Sequence, residues 1–115
     1  MSEVSPERLA ELIEGGEAEV VDVRTDGERA AGHIAGTRHI PFDRLLAAAA
    51  ELDKARPLVF YCRSGDRSAA AVEAFAASGW NASSLAGGLL AWVEEGRPLE
   101  PADGEVTEPS TLPPA

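Results

Sequence analysis

Four consecutive apolar residues, Leu58-Val59-Phe60-Tyr61, follow Pro57 and stop at Cys62, the only cysteine of the chain. A run this short, bounded by a proline and rich in β-branched and aromatic side chains, is a buried strand. Glu19-Val20-Val21-Asp22-Val23 has the same character upstream, and Asn81 to Leu85 can be a further strand. Helical patterns fill the intervals. Ser5, Pro6 and Glu7 supply an N-cap, a first-turn proline and a dipole-matched acid, and Leu9, Leu12 and Ile13 then share a face, so a helix is predicted over about 5 to 14, stopped by Gly15-Gly16. The alanine-rich stretch Ser68 to Ser78, ended by Gly79, predicts another, and Leu89 to Glu95 a last one carrying Trp92 after the turn Gly87-Gly88. Between the two strongest strands, Arg24 to Gly32 reads as polar with a short helix and Arg38-His39-Ile40 as a brief extended piece. Asp43 is expected to cap a helix through Leu45, Leu46, Ala49 and Leu52. Such alternation of β and α demands crossover connections, hence an α/β fold with a mostly parallel sheet covered by helices on both faces.

The stretch beyond Gly96 has another composition: prolines at 98, 101, 109, 113 and 114, acids at 100, 103, 105 and 108, and few apolar residues. The reading is one domain over residues 3–98 followed by an acidic, Pro-rich tail over 99–115. A formal charge of -10 argues against nucleic acid and anionic membrane surfaces as partners, because both require clustered cations. No apolar run is long enough to span a bilayer, and the first residues lack the basic and apolar regions of a signal peptide, so a cytoplasmic location is expected. A lone cysteine forms no internal disulfide, and the absence of Cys and His clusters leaves no zinc signature.

The chemistry points to Cys62-Arg63-Ser64-Gly65-Asp66-Arg67-Ser68, which joins the end of a buried strand to the start of a helix. Ligands of open α/β sheets sit beyond the carboxyl ends of strands, and a loop curling into a helix N-terminus directs several backbone N–H groups at one spot. Amides and guanidinium groups of this kind favour a thiolate over a thiol, so Cys62 is expected to be nucleophilic at neutral pH. Gly65 would supply a positive φ that turns the amides inward. Arg63 and Arg67 carry forked donors suited to sulfonate, phosphate or thiosulfate oxygens. Taken singly, each residue has a plainer reading: a buried apolar cysteine, solvated arginines, a turn glycine, a capping acid at Asp66. Their combination in this position favours an anion site.

This segment resembles the active loop of the rhodanese, or thiosulfate sulfurtransferase, family. Val21-Asp22-Val23-Arg24, Gly32-His33-Ile34-Ala35-Gly36 with Ile40-Pro41, and Leu85-Ala86-Gly87-Gly88-Leu89-Leu90-Ala91-Trp92 resemble further family segments in the same order. Thr25-Asp26-Gly27-Glu28-Arg29 departs from the usual acid and aromatic pattern, and Ala35 stands in place of a common proline. The resemblance implies a single-domain rhodanese fold with a central five-stranded sheet and a double displacement: Cys62 thiolate attacks the outer sulfur of thiosulfate, sulfite leaves, and the resulting persulfide passes sulfur to cyanide or a thiol. It implies no metal and no organic cofactor. The partners would be a small anionic sulfur donor and a thiol or protein acceptor. Cys62 would be the nucleophile, the backbone from Arg63 to Ser68, including Gly65 and Asp66, the cradle, and Arg63 and Arg67 the donor-binding cations. Ser64 and Ser68 could donate hydrogen bonds to the persulfide. Asp22 and Arg24 are possible supporting residues whose stronger expectation is structural, as it is for His33 and His39.

Two rivals are weighed. A Cys-dependent phosphatase or arsenate reductase needs five residues between its cysteine and arginine, whereas here Arg67 comes one position early and Ser68 follows. A non-catalytic sulfur-relay carrier would have the same loop, whereas an interaction module that had lost catalysis would have no need for the cysteine, which is present here with both arginines.

Overall fold

The computed structural model describes residues 2–107. Five strands, β1 (Glu3–Val4), β2 (Glu19–Asp22), β3 (Arg38–His39), β4 (Leu58–Tyr61) and β5 (Ala82–Leu85), form one sheet in the order β1-β5-β4-β2-β3, with every neighbouring pair parallel. The helices are α1 (Pro6–Glu14), α2 (Asp26–Ala31), α3 (Asp66–Ala77) and α4 (Gly88–Glu94). This is the five-stranded α/β fold that the resemblance implied.

Strand pleating divides the core into two layers. Val21, Leu58 and Phe60 face one cluster with Ala71, Val72 and Phe75 of α3, and Val20, Val59 and Tyr61 face the other with Leu9 and Leu12 of α1 and Leu89 and Trp92 of α4. Successive residues of β2 and β4 thus serve opposite faces, as a period of two requires, and β4 is apolar throughout because both faces are covered. At about 25 cal/mol per Å2 this burial is the main stabilising term.

The start of α1 is as expected, with the Ser5 hydroxyl accepting from Arg8 N at 3.0 Å and Pro6 in the first turn. The helix expected after Asp43 is replaced by two 3₁₀ turns, Phe42–Arg44 and Ala49–Glu51, neither of which has a side-chain cap. Leu45 and Leu52 still reach the core, and Ala48 and Ala49 pack against it. Burying those side chains from a short connection outweighs the helix propensity of its alanines, and an uncapped segment has little to oppose the tighter winding.

Residues 99–107, read as the beginning of the acidic tail, lie against the domain. His33 and Glu100 exchange backbone hydrogen bonds of 3.1 and 2.7 Å, and Glu105 N donates to Ala31 O at 2.8 Å. Leu99 and Val106 pack on the cluster that contains Ile34 and Trp92. The remainder of that stretch, 108–115, lies outside the described residues. No helix among the described residues is long and apolar enough to cross a membrane.

Candidate active site

β4 delivers Cys62 to the carboxyl edge of the sheet, between β5 and β2, and the chain then turns into α3. The turn depends on Gly65, whose φ of +114° lies in the left-handed region; a Cβ there would meet no atom within 4 Å, so the requirement is for backbone conformation and not for space. The consequence is a cradle of amides around sulfur. Gly65 N donates to Cys62 Sγ at 3.1 Å and Ser68 N at 3.4 Å, while the thiol donates to Ser68 Oγ at 3.5 Å. The Ser68 hydroxyl itself donates to Gly65 O at 3.1 Å, so it ties the loop to the first turn of α3. Cys62 is only 1% exposed and Ser68 is buried, whereas Ser64 and Asp66 are exposed.

A second element holds the loop from behind. Leu89 N donates to Cys62 O at 2.8 Å and Leu90 N to Arg63 O at 3.1 Å, so amides of α4 take up carbonyls of the cysteine loop. Gly88 makes this approach possible: at φ +63° a Cβ would stand 2.5 Å from Arg63 O and 2.8 Å from Ser64 N. The sequence marked Gly87-Gly88 as a tight turn, but the need for a missing side chain against another loop has no local signal.

Arg67, expected as a donor-binding cation, is paired within the chain. Its Nη1 and Nη2 donate to Glu28 Oε1 and Oε2 at 2.8 and 2.9 Å, a bidentate pair in which Glu28 is fully buried. The fork anticipated on a donor anion is thus occupied by a carboxylate of α2. Glu28 is further fixed by a capping box, its Oε1 accepting from Thr25 N at 3.0 Å and Thr25 Oγ1 at 3.1 Å. Burial opposes its charge, but the hydrogen bonds from Arg67 and Thr25 outweigh burial and hold its carboxyl below the ordinary glutamate range. Glu28 was passed over in the sequence; the Thr25-x-x-Glu28 spacing was the signal that could have shown it.

Asp22 and Arg24, the possible supporting residues, close on each other at the end of β2. Arg24 Nε donates to Asp22 Oδ1 at 2.9 Å and Nη2 to Oδ2 at 2.8 Å, both side chains being fully buried. Arg24 Nη2 also donates to Gly32 O at 2.7 Å, and its guanidinium carbon lies 5.7 Å from the Tyr61 ring centre. Burial works against the Arg24 charge, and Asp22 more than compensates, so the pKa of Arg24 is raised. Arg29 extends this network to Thr37, with 2.9 Å to its Oγ1 and 2.7 Å to its carbonyl. Tyr61 Oη accepts from Ile34 N at 3.1 Å, and burial, with the Asp22 charge, pushes Tyr61 up to about 12. His33 and His39 face backbone carbonyls, Arg29 O at 3.2 Å and Arg24 O at 2.7 Å.

Comparisons with known proteins agree with this fold. The family model described as Rhodanese-like domain matches residues 5–95. A thiosulfate sulfurtransferase GlpE of Pseudomonas aeruginosa is 40% identical over 103 residues, 87% of each chain. A sulfurtransferase of Allochromatium vinosum is 32% identical over 106 residues, covering 90% of this chain and 99% of its own. Among solved structures, a rhodanese-related protein from Thermoplasma volcanium aligns with a TM-score of 0.79 at 33% identity, over 86% of this chain and 97% of that one.

Proposed function

The chain belongs to the rhodanese-like domain family, and on that premise we propose that it is a sulfurtransferase in which Cys62 carries a sulfane sulfur as a persulfide. The observation that carries the reading is the sulfur of Cys62 held at the carboxyl edge of the sheet by inward amides of Gly65 and Ser68. Amide donors stabilise negative charge on sulfur without being consumed, both on the thiolate and on the persulfide that replaces it. The relatives named as thiosulfate sulfurtransferases support thiosulfate as donor.

In the first half-reaction the Cys62 thiolate attacks the outer sulfur of thiosulfate, the sulfur–sulfur bond of the donor breaks, and its electron pair leaves with sulfite. In the second, cyanide or a thiol attacks the outer sulfur of the persulfide and the electron pair returns to Cys62. Arg63 is assigned to the departing anion. Arg67, whose fork is held by Glu28, contributes orientation and field. Ser68 ties the loop to α3, and Asp22 with Arg24 braces the end of the neighbouring strand. The chemistry is assigned to residues 3–98; a cytoplasmic setting fits a thiol that must remain reduced.

The test is to incubate reduced protein and a Cys62→Ser variant with thiosulfate, record intact mass, and then add cyanide and follow thiocyanate. Wild type should gain one labile sulfur and turn over, and the variant should do neither. If wild type gains nothing from thiosulfate, that donor is wrong; loading by a protein persulfide would then indicate a relay carrier.

A further inference from the structure

Residues 98–105 run from the end of α4 across the loop that joins α2 to β3, and they are fastened at both ends. At the near end Trp92 Nε1, on α4, donates to Pro98 O at 2.8 Å, the indole being buried. At the far end His33 and Glu100 bridge through their backbones, and Glu105 N reaches Ala31 O. There the two backbones meet with no side chain between them. A Cβ on Gly32 would stand 2.8 Å from both N and O of Glu105, and one on Gly104 would stand 2.9 Å from Ala31 O and 3.0 Å from Gly32 Cα. Gly32 has a φ of 168°, ordinary extended backbone, so glycine answers here to closeness and not to conformation. A tail that merely trailed from the domain would demand neither glycine.

Each fastening leads toward the sulfur. α4 grips the carbonyls of Cys62 and Arg63 through Leu89 N and Leu90 N, so whatever fixes α4 fixes the peptide planes that aim the loop. The segment under residues 98–105 is in turn bound to two strand ends. Gly32 O accepts from Arg24, which follows β2, and Ile34 N donates to Tyr61 Oη, on the residue that precedes Cys62. Residues 98–105 therefore join the helix that holds the cysteine loop to the framework from which β4 presents it. A misplacement of about 1 Å at a reacting group can cost on the order of a hundredfold in rate, so a tie of this kind bears on chemistry as well as on folding.

We propose that Trp92 and residues 98–105 form a clasp that positions the Cys62 loop for sulfur transfer, with Trp92, Gly32 and Gly104 as its positioning residues. The inference rests on the sulfurtransferase reading and extends the working unit past residue 98. These residues act through Leu89 and Leu90, whose amides hold the loop, and not on the reacting sulfur. With the clasp open, α4 stays packed through Leu89 and its other core contacts, but its placement against the loop is set from one side only. The amides of Gly65 and Ser68 are then aimed at the sulfur for less of the time, and capture of sulfur slows.

The test uses the full chain. Trp92→Phe keeps an aromatic ring and removes the indole donor, and Gly104→Ala adds one methyl against the backbone of Ala31 and Gly32. Leu52→Ala, in the other layer of the core from Trp92, supplies the comparison for lost stability. Well below each thermal midpoint, the rate of sulfur loading of Cys62 is measured with thiosulfate and with glutathione persulfide, together with hydrogen exchange of the Gly65, Leu89 and Leu90 amides. Trp92→Phe should load about fivefold more slowly, comparable with the net contribution of one hydrogen bond, and Gly104→Ala about tenfold more slowly. In both, those amides should exchange faster than in Leu52→Ala, which should load at close to the wild-type rate. The double variant should be little slower than Gly104→Ala alone, because both changes open the same tie. Clasp variants that load like wild type, losses that add in the double variant, or an equal loss in Leu52→Ala would overturn the proposal and leave residues 98–105 as a source of stability only. Wild type that accepts sulfur from neither donor would instead bring down the sulfurtransferase reading, and the role of the clasp in it, whatever the variants do.

Discussion

Two arginine–carboxylate pairs stand near the carboxyl edge of the sheet, and they are built on opposite terms. Arg24 pairs with Asp22 two positions away, and both side chains are completely buried. Arg67 pairs with Glu28 across 39 positions of sequence, and its side chain remains 29% exposed. The first pair is nearly complete within one turn of chain and braces the end of β2 whatever the cysteine loop does. The second connects two segments, so it fixes the first turn of α3, and with it the amide of Ser68, relative to α2. Equal chemistry therefore does unequal duty: the local pair is framework, and the long-range pair transmits position to the sulfur.

Asp22→Ala should produce the largest effect, because it leaves the Arg24 guanidinium buried without its counter-charge. A loss of about 3–5 kcal/mol is expected, visible as a fall of the thermal midpoint on the order of 10–30 °C or as failure to fold. A fall below about 2 °C would mean that the buried pair is not a brace, and the contrast would collapse.

Gly88→Ala probes the loop side. Gly96→Ala is its control, since Gly96 has a φ of +77° but no atom within 4 Å of an added Cβ. Both should lose roughly 1–3 kcal/mol to backbone strain, while only Gly88→Ala should also lower sulfur loading of Cys62, by tenfold or more, because its methyl displaces Arg63 and Ser64. Parallel losses of loading in the two variants would show that the close approach of α4 does not shape the cradle.

Glu28→Gln has the smallest expected cost, about 1–2 kcal/mol at neutral pH, and a distinctive pH signature. The folded carboxyl of Glu28 is held below its unfolded value, so the unfolded chain binds more protons as pH falls. Its stabilisation is complete above the unfolded value of about 4.3 and is lost as pH drops from there through the lower folded value. Thermal midpoints measured from pH 7 downward should therefore decline less steeply across this window in Glu28→Gln than in wild type. Identical slopes would remove the charge of Glu28 from the account.

What could be read in the chain follows the same division between local and distant causes. β2, β4 and α3 were legible because apolar period, β-branching and alanine content act within a few residues. The left-handed Gly65 was legible because a strand that must turn at once into a helix leaves few backbone routes. β1 was not read from its residues, since Glu3 and Val4 become a strand only through pairing with β5. Residues 42–52 misled because Leu45 and Leu52 answer to the core and not to helical spacing. At the site, the cysteine and its cradle were visible, but the partner of Arg67 was not: the place of an arginine in the sequence gives no sign of which carboxylate, 39 positions away, will meet it in the fold.

The grip of Leu89 and Leu90 on the carbonyls of Cys62 and Arg63 also sets an order of events during synthesis. A nascent chain released only through α3 holds its cysteine but lacks β5, which alone joins β1 to β4, and lacks the amides that lock the loop. The thiol is thus translated well before its seat exists. On the proposed function, competence to capture sulfur arrives with the last helix, and a truncated product ending ahead of residue 88 would carry Cys62 without the amides of Leu89 and Leu90 that hold its loop.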